Sequence, residues 1–169
     1  MDAAGLRAMQ APIKDRYKSD PQAARIRLKA HGTLDDTNIA CKIETGRALA
    51  VAGLHPATGG SGLELCSGDM LLEALVACAG VTLKSVATAI DVPLKVGNVI
   101  AEGDLDFRGT LGVDKEAPVG FAEIRLRFEV ATDAPQDKLD LLLKLTERYC
   151  VVYQTIRNGP KVSVSMKRI

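Results

Sequence analysis

The chain has 169 residues, 47% of them apolar, and a net charge of +1 with both signs spread along its length. That supports one domain with a substantial core. The lack of a basic block and an aromatic content of 4% argue against nucleic acid as a partner. The charged N-terminus lacks the apolar run of a signal peptide. The longest apolar stretch, Met70 to Leu83, is short for a bilayer and carries Glu73. A cytoplasmic protein without membrane contact is expected. There the cysteines at 41, 66, 78 and 150 are expected to be thiols rather than structural disulfides. No C-x-x-C pair points to a zinc ribbon or a thioredoxin motif.

Residues 1–24 predict a helical arm punctuated by Pro12 and Pro21, with Leu6, Met9, Ile13 and Tyr17 on one face. Such an arm is unstable alone and should pack on the body or on a partner subunit. Ile26, Leu28 and Ala30 alternate with Arg25, Arg27 and Lys29, which predicts a strand. A second strand is expected around Ile39, Cys41 and Ile43, after turn chemistry at Asp35 to Asn38. Thr45-Gly46 marks a turn into a third strand, Arg47 to Ala52, giving an antiparallel meander. Pro56 to Ser67 reads as a glycine-rich linker. It lacks the Lys-Ser/Thr of a phosphate loop.

A helix apolar on nearly every side is expected from about Asp69 to Ile90, with only Glu73 and Lys84 charged between Met70 and Ile90. Ser67 or Asp69 is its candidate cap. Val99, Ala101, Leu105 and Phe107 alternate with charged residues and predict a strand, followed by a loop from Gly109 to Gly120. Ile124, Leu126, Phe128 and Val130 alternate strictly with Glu123, Arg125, Arg127 and Glu129, the clearest strand pattern in the chain. A second helix begins near Pro135 and carries Leu139, Leu142, Leu143, Thr146, Cys150, Tyr153 and Ile156 on one face. Asn158-Gly159-Pro160 ends it, and Val162, Val164 and Met166 predict a last strand. The order suits an α+β fold with helices against antiparallel sheet.

Cys78 and Cys150 each fall within an expected helix. By spacing alone such residues are most often buried filler, because free cysteine behaves as a small hydrophobe. A working thiol pair needs more. One sulfur must be held as thiolate by a cation or a dipole, and the second must come within disulfide distance. Cys66 stands near the start of the first helix as an unassigned thiol. Cys41 alternates with core residues and reads as buried and inert.

The motifs around these cysteines resemble a known family. The run Asp69-Met70-Leu71-Leu72-Glu73-Ala74-Leu75-Val76-Ala77-Cys78 is similar to the central-helix motif of the OsmC/Ohr family. Arg148-Tyr149-Cys150-Val151-Val152-Tyr153 resembles that family's second cysteine helix, without the proline that usually follows the cysteine. The terminal Lys161 to Val164 fits as well. The resemblance covers roughly residues 25 to 169 and leaves 1–24 as a separate arm. It implies an OsmC-like fold, with two long central helices packed against antiparallel sheets in an intertwined homodimer and sites at the subunit interface. It also implies a thiol-dependent peroxidase that reduces organic hydroperoxides, with Cys78 peroxidatic, Cys150 resolving and an external dithiol as reductant. No cofactor or metal is implied.

In that family an arginine stabilises the thiolate and a glutamate orients the arginine. Asp69 stands where the glutamate belongs, with helix capping as its alternative role, and Glu73 is another carboxylate nearby. Residues 35–38 and 56–67, where the arginine is usual, contain no Arg or Lys. Arg47 is therefore the candidate, with a solvated turn charge as the alternative, and His55 is a further possible partner. These departures keep open an OsmC-like dimeric ligand-binding protein with little or no peroxidase activity. A metal site of His55, Cys66, Cys78 and Cys150 fits no standard zinc spacing.

Overall fold

The structure is a computed structural model that describes residues 3–34, 41–43, 52–63 and 65–168. The alternating segments build its sheet. β1 (Arg25–Leu34) and β5 (Val96–Asp106) pair antiparallel from Arg25 opposite Asp106 to Thr33 opposite Asn98. β6 (Glu123–Ala131) pairs with the other side of β5, Val99 facing Phe128, and β2 (Cys41–Ile43) extends β1, giving the order β2-β1-β5-β6. The central β5 buries alternate residues, among them Val99 and Ala101, whereas the outer β6 is half-buried. A Cβ at Gly103 would come within 2.4 Å of the Phe121 ring, so this position requires glycine for the ring to lie on the strand.

α2 (Ser67–Ala89) lies across this sheet. Leu72, Leu75, Val76, Ala79, Leu83 and Ala87, spaced by threes and fours, are buried in one cluster with Val99, Ala101, Leu142 and Cys150. Each large side chain in it contributes about 1.5–3 kcal/mol through removal from water. Among the described residues α2 is the one helix long and apolar enough to cross a membrane; here its sheet-facing side forms the core. The opposite side is not covered by the described residues, and Leu71 and Val81 remain 41% and 39% exposed. The helix begins on Cys66, whose side chain makes no capping bond. Neither Ser67 nor Asp69 is the cap. Asp69 sits in the first turn, where a negative charge is favourable beside the helix's positive end.

The second expected helix is two helices. α4 (Gln136–Tyr149) and α5 (Val151–Asn158) meet at Cys150, which is extended at φ −71° and ψ 105° and caps both. Three local bonds explain the break. In a continuous helix the Tyr153 N–H would bond the Tyr149 carbonyl; here it donates to Cys150 Sγ at 3.5 Å. The Cys150 N–H still closes α4 on the Thr146 carbonyl at 2.9 Å. Gln154 Nε2 donates to the Glu147 carbonyl at 2.7 Å, supplying one of the partners that the end of α4 would otherwise lack. The β-branched pair Val151-Val152 adds little helical preference to oppose the bend.

Other expectations are corrected. Val162, Val164 and Met166 form no strand; they lie 76%, 92% and 98% exposed beyond α5. An alternating pattern becomes a strand only when a neighbouring strand accepts its hydrogen bonds, and none of the described strands does so. Phe107 does not continue β5 but opens a single turn, α3 (Phe107–Thr110), which runs from the end of the expected strand into the expected loop. The linker contains a 3-10 turn at Pro56–Thr58 and β4 (Leu65–Cys66), which pairs in parallel with β3 (Ala52–Gly53). The expected turn at 35–38, most of the third strand, Arg47, and the burial of the Cys41 side chain lie outside the described residues.

The N-terminal helix α1 (Ala3–Ser19) runs through Pro12 rather than stopping there. Tyr17, 3% exposed, packs with Ala24, Phe107 and Leu111 in a second cluster, so the arm rests on the body of its own chain. Its hydroxyl donates to the Ala57 carbonyl at 2.6 Å.

Candidate functional site: a two-thiol centre at the helix break

Cys78 lies mid-way along α2, beside its uncovered side, and Cys150 lies at the α4–α5 break. α2 packs against both α4 and α5, which brings the two cysteines together. Both are free thiols, and Cys78 packs against the buried cluster that holds Cys150. Cys150 is 1% exposed, closed in by its own chain, whereas Cys78 is half-buried.

The environment of Cys150 pulls in two directions. Burial pushes its thiol up from 9.0 to about 11. The Tyr153 amide, and more weakly the Val152 amide, favour the thiolate, while the hydrogen bond to Cys78 and charge on that sulfur disfavour it. The balance favours the protonated Cys150 thiol. Reading Cys150 as a residue on a helical face missed this, because the cap appears only when the helix breaks. The one sequence signal was the position itself, where the family usually carries a proline just after the cysteine.

Asp69 is not brought to the thiols. Nine residues at helical rise place it roughly 13.5 Å from Cys78 along α2. Its neighbour is His55 instead. Burial lowers the His55 pKa against the opposing pull of Asp69, and burial raises Asp69 against the pull of His55. His55 stacks on Phe107 with ring centroids 5.0 Å apart, and its Nδ1 accepts the Ala57 N–H at 3.0 Å. Glu73, one turn on from Asp69, is also raised, by burial and then by Asp69. Among the described residues, the arginines flanking Cys150 in sequence are turned to aromatic rings, Arg148 to Tyr149 and Arg157 to Tyr153. No group of His, Cys, Asp and Glu among the described residues has the geometry of a metal site. A cavity of about 800 Å³ opens elsewhere, lined by Arg25, Ile26, Leu105, Asp106, Arg108 and Pro118 and by neither cysteine. There the Arg108 guanidinium donates to the buried Asp106 at 2.6 Å and holds its carboxyl below the usual range.

Fold and site together define an α+β protein whose two thiols meet where a long core helix passes a broken one. The chain belongs to the OsmC-like protein family, whose model matches residues 60–165, well over half its length. The crystal structure of an OsmC-like hydroperoxide resistance protein from Jannaschia sp. CCS1 shares the fold, with a TM-score of 0.63 at 12% identity. The match covers 86% of this chain and 95% of that one. No curated protein matches the chain.

Proposed function

We propose that this protein is a thiol-dependent peroxidase that reduces organic hydroperoxides in cytoplasmic oxidative-stress defence. The observation that carries the reading is the convergence of the two motif cysteines, Cys78 on α2 and Cys150 at the α4–α5 break, in one hydrophobic cluster. The Cys78 thiolate attacks the distal peroxide oxygen, the O–O bond breaks, and the alcohol leaves after taking a proton. The Cys78 sulfenic acid then condenses with Cys150, releasing water and forming the disulfide. An external dithiol reduces that disulfide and is itself oxidised.

The uncovered side of α2, with exposed Leu71 and Val81 beside Cys78, supports a homodimer in which a second copy walls the site. Within this proposal Arg47 holds the Cys78 thiolate. Asp69, too distant to touch the sulfur, orients that arginine. The structurally similar Jannaschia protein is a hydroperoxide resistance protein, which agrees with the substrate class.

A second reading is a dimeric ligand-binding protein with little or no peroxidase activity. The engagement of Asp69 with His55, rather than with a described arginine, favours it. One experiment separates the two. Reduced protein should consume cumene hydroperoxide with dithiol turnover, and Cys78→Ser should abolish this. Full activity in Cys78→Ser, or none in the unaltered protein, refutes the peroxidase reading.

A further inference from the structure

The break between α4 and α5 also forms a groove on the surface, on the side turned away from α2. Leu142 and Thr146 mark the buried face of α4. Lys144 and Arg148 each follow one of them by two residues, roughly half a turn round the helix, and both are exposed. Two cavities of about 520 and 430 Å³ share Arg148, Tyr149 and Gln154 there and so make one groove. The first also holds Lys144, Glu147 and Arg157, and the second holds Val151 and Pro160. Neither holds a cysteine. The wall is pre-formed: Gln154 Nε2 donates to the Glu147 carbonyl at 2.7 Å, and Gln154 Oε1 accepts from Asn158 at 2.8 Å, which ties α5 to α4.

The groove concentrates charge that the chain as a whole does not carry. The total is +1, yet from Lys144 onward six lysines and arginines face one carboxylate side chain, Glu147. Lys144, Arg148 and Arg157 line the groove with Glu147, so its formal charge is three minus one, or +2. None of the four is in an ion pair with a described residue. Lys144 and Arg148 stand four apart on one helix, the spacing at which like charges destabilise it. Arg148 and Arg157 lie over the Tyr149 and Tyr153 rings at 5.8 and 5.9 Å. A guanidinium stacked in this way keeps its in-plane N–H groups for an acceptor. Arg157 uses one of them on the Tyr153 hydroxyl at 3.4 Å.

We propose that this groove binds a soluble organic phosphate, a phosphomonoester on an apolar or aromatic body. Such a group carries about −1.5 to −2 charge at neutral pH and three acceptor oxygens, which match a +2 groove with three cationic side chains. A monocarboxylate would leave one positive charge unmatched. The organic body lies on Tyr149 and Val151, which are 58% and 70% exposed without it, and on Pro160. The site uses neither thiol and does not depend on peroxidase chemistry.

The test is calorimetric titration of the full chain with phenyl phosphate, inorganic phosphate and benzoate. Phenyl phosphate should bind about tenfold more tightly than benzoate, the factor that one further charge-assisted contact supplies. It should bind about tenfold more tightly than inorganic phosphate, the factor that burying roughly half a phenyl ring supplies. Arg148→Gln and Arg157→Gln should each weaken it by about tenfold. Glu147→Gln removes the one carboxylate and should tighten binding by about threefold, a gain that a misfolded variant does not imitate. No binding of phenyl phosphate, equal affinities for the three ligands, unchanged binding in both arginine variants, or unchanged or weaker binding in Glu147→Gln overturns the proposal. Co-sedimentation with phosphatidic acid vesicles distinguishes a lipid headgroup from a soluble ligand. Binding to the vesicles without binding to phenyl phosphate also overturns it.

Discussion

Cys150 should be a thiol whose ionisation the folded state resists, and this has a measurable cost in stability at high pH. Burial, opposed by the Tyr153 amide and reinforced by Cys78, carries its pKa from 9.0 to about 11. The folded value lies above the unfolded one, so folding favours the protonated form. The resulting stability is fully present below about pH 9 and is lost as pH rises through about 11. A shift of that size corresponds to roughly 3 kcal/mol, and to a much smaller thiolate population at neutral pH than for an unburied thiol. Other groups titrate in the same window, so the comparison should be with Cys150→Ala, which cannot ionise there. Urea unfolding of both proteins from about pH 8 to 11 should show the advantage of the unaltered chain shrinking by about that amount. A gap that stays constant across the window would refute the argument that the Cys150 thiol is desolvated.

The remaining predictions concern the elements around the site. Tyr17→Phe keeps the ring but leaves the Ala57 carbonyl without its 2.6 Å donor; it should cost about 1–2 kcal/mol and lower Tm by about 3–6 °C in calorimetry. Val151→Pro should be neutral or raise Tm by about 1–3 °C, because residue 151 is the first of α5, its side chain is exposed, and Cys150 is already extended. A large loss of stability there would show that α4 and α5 are one continuous helix. His55 is held below its usual 6.5 by burial, so its contribution is present above that pH and is lost as pH falls through the folded value. Thermal unfolding should show Tm dropping on acidification below about pH 6.5, with the slope flattened in His55→Gln.

What was legible beforehand was local. The alternation in Ile124 to Val130 specified β6, because a period of two admits only a half-buried strand. The run around Cys78 specified a buried helix, since no polar face exists to meet water. The break at Cys150 was not legible. The apolar spacing of Leu139, Leu142, Thr146, Cys150 and Tyr153 continues through it, and no proline or glycine marks it. What ends α4 is a set of side-chain bonds, from Gln154 to the Glu147 carbonyl and from the Tyr153 amide to sulfur. Propensity and periodicity do not report such bonds.

The same division runs through the thiol centre. The sequence by itself determined that two cysteines lie in apolar surroundings within motifs of one family, because composition and spacing are properties of the chain. Only the tertiary structure decided that they share one packed cluster, that Cys150 is a cap rather than a face residue, and that Asp69 answers to His55 instead of to the thiols. The physical reason is that burial, hydrogen-bond partners and charge neighbours come from residues far apart in the chain. These are what set the reactivity of a sulfur, and they exist only once the helices have packed.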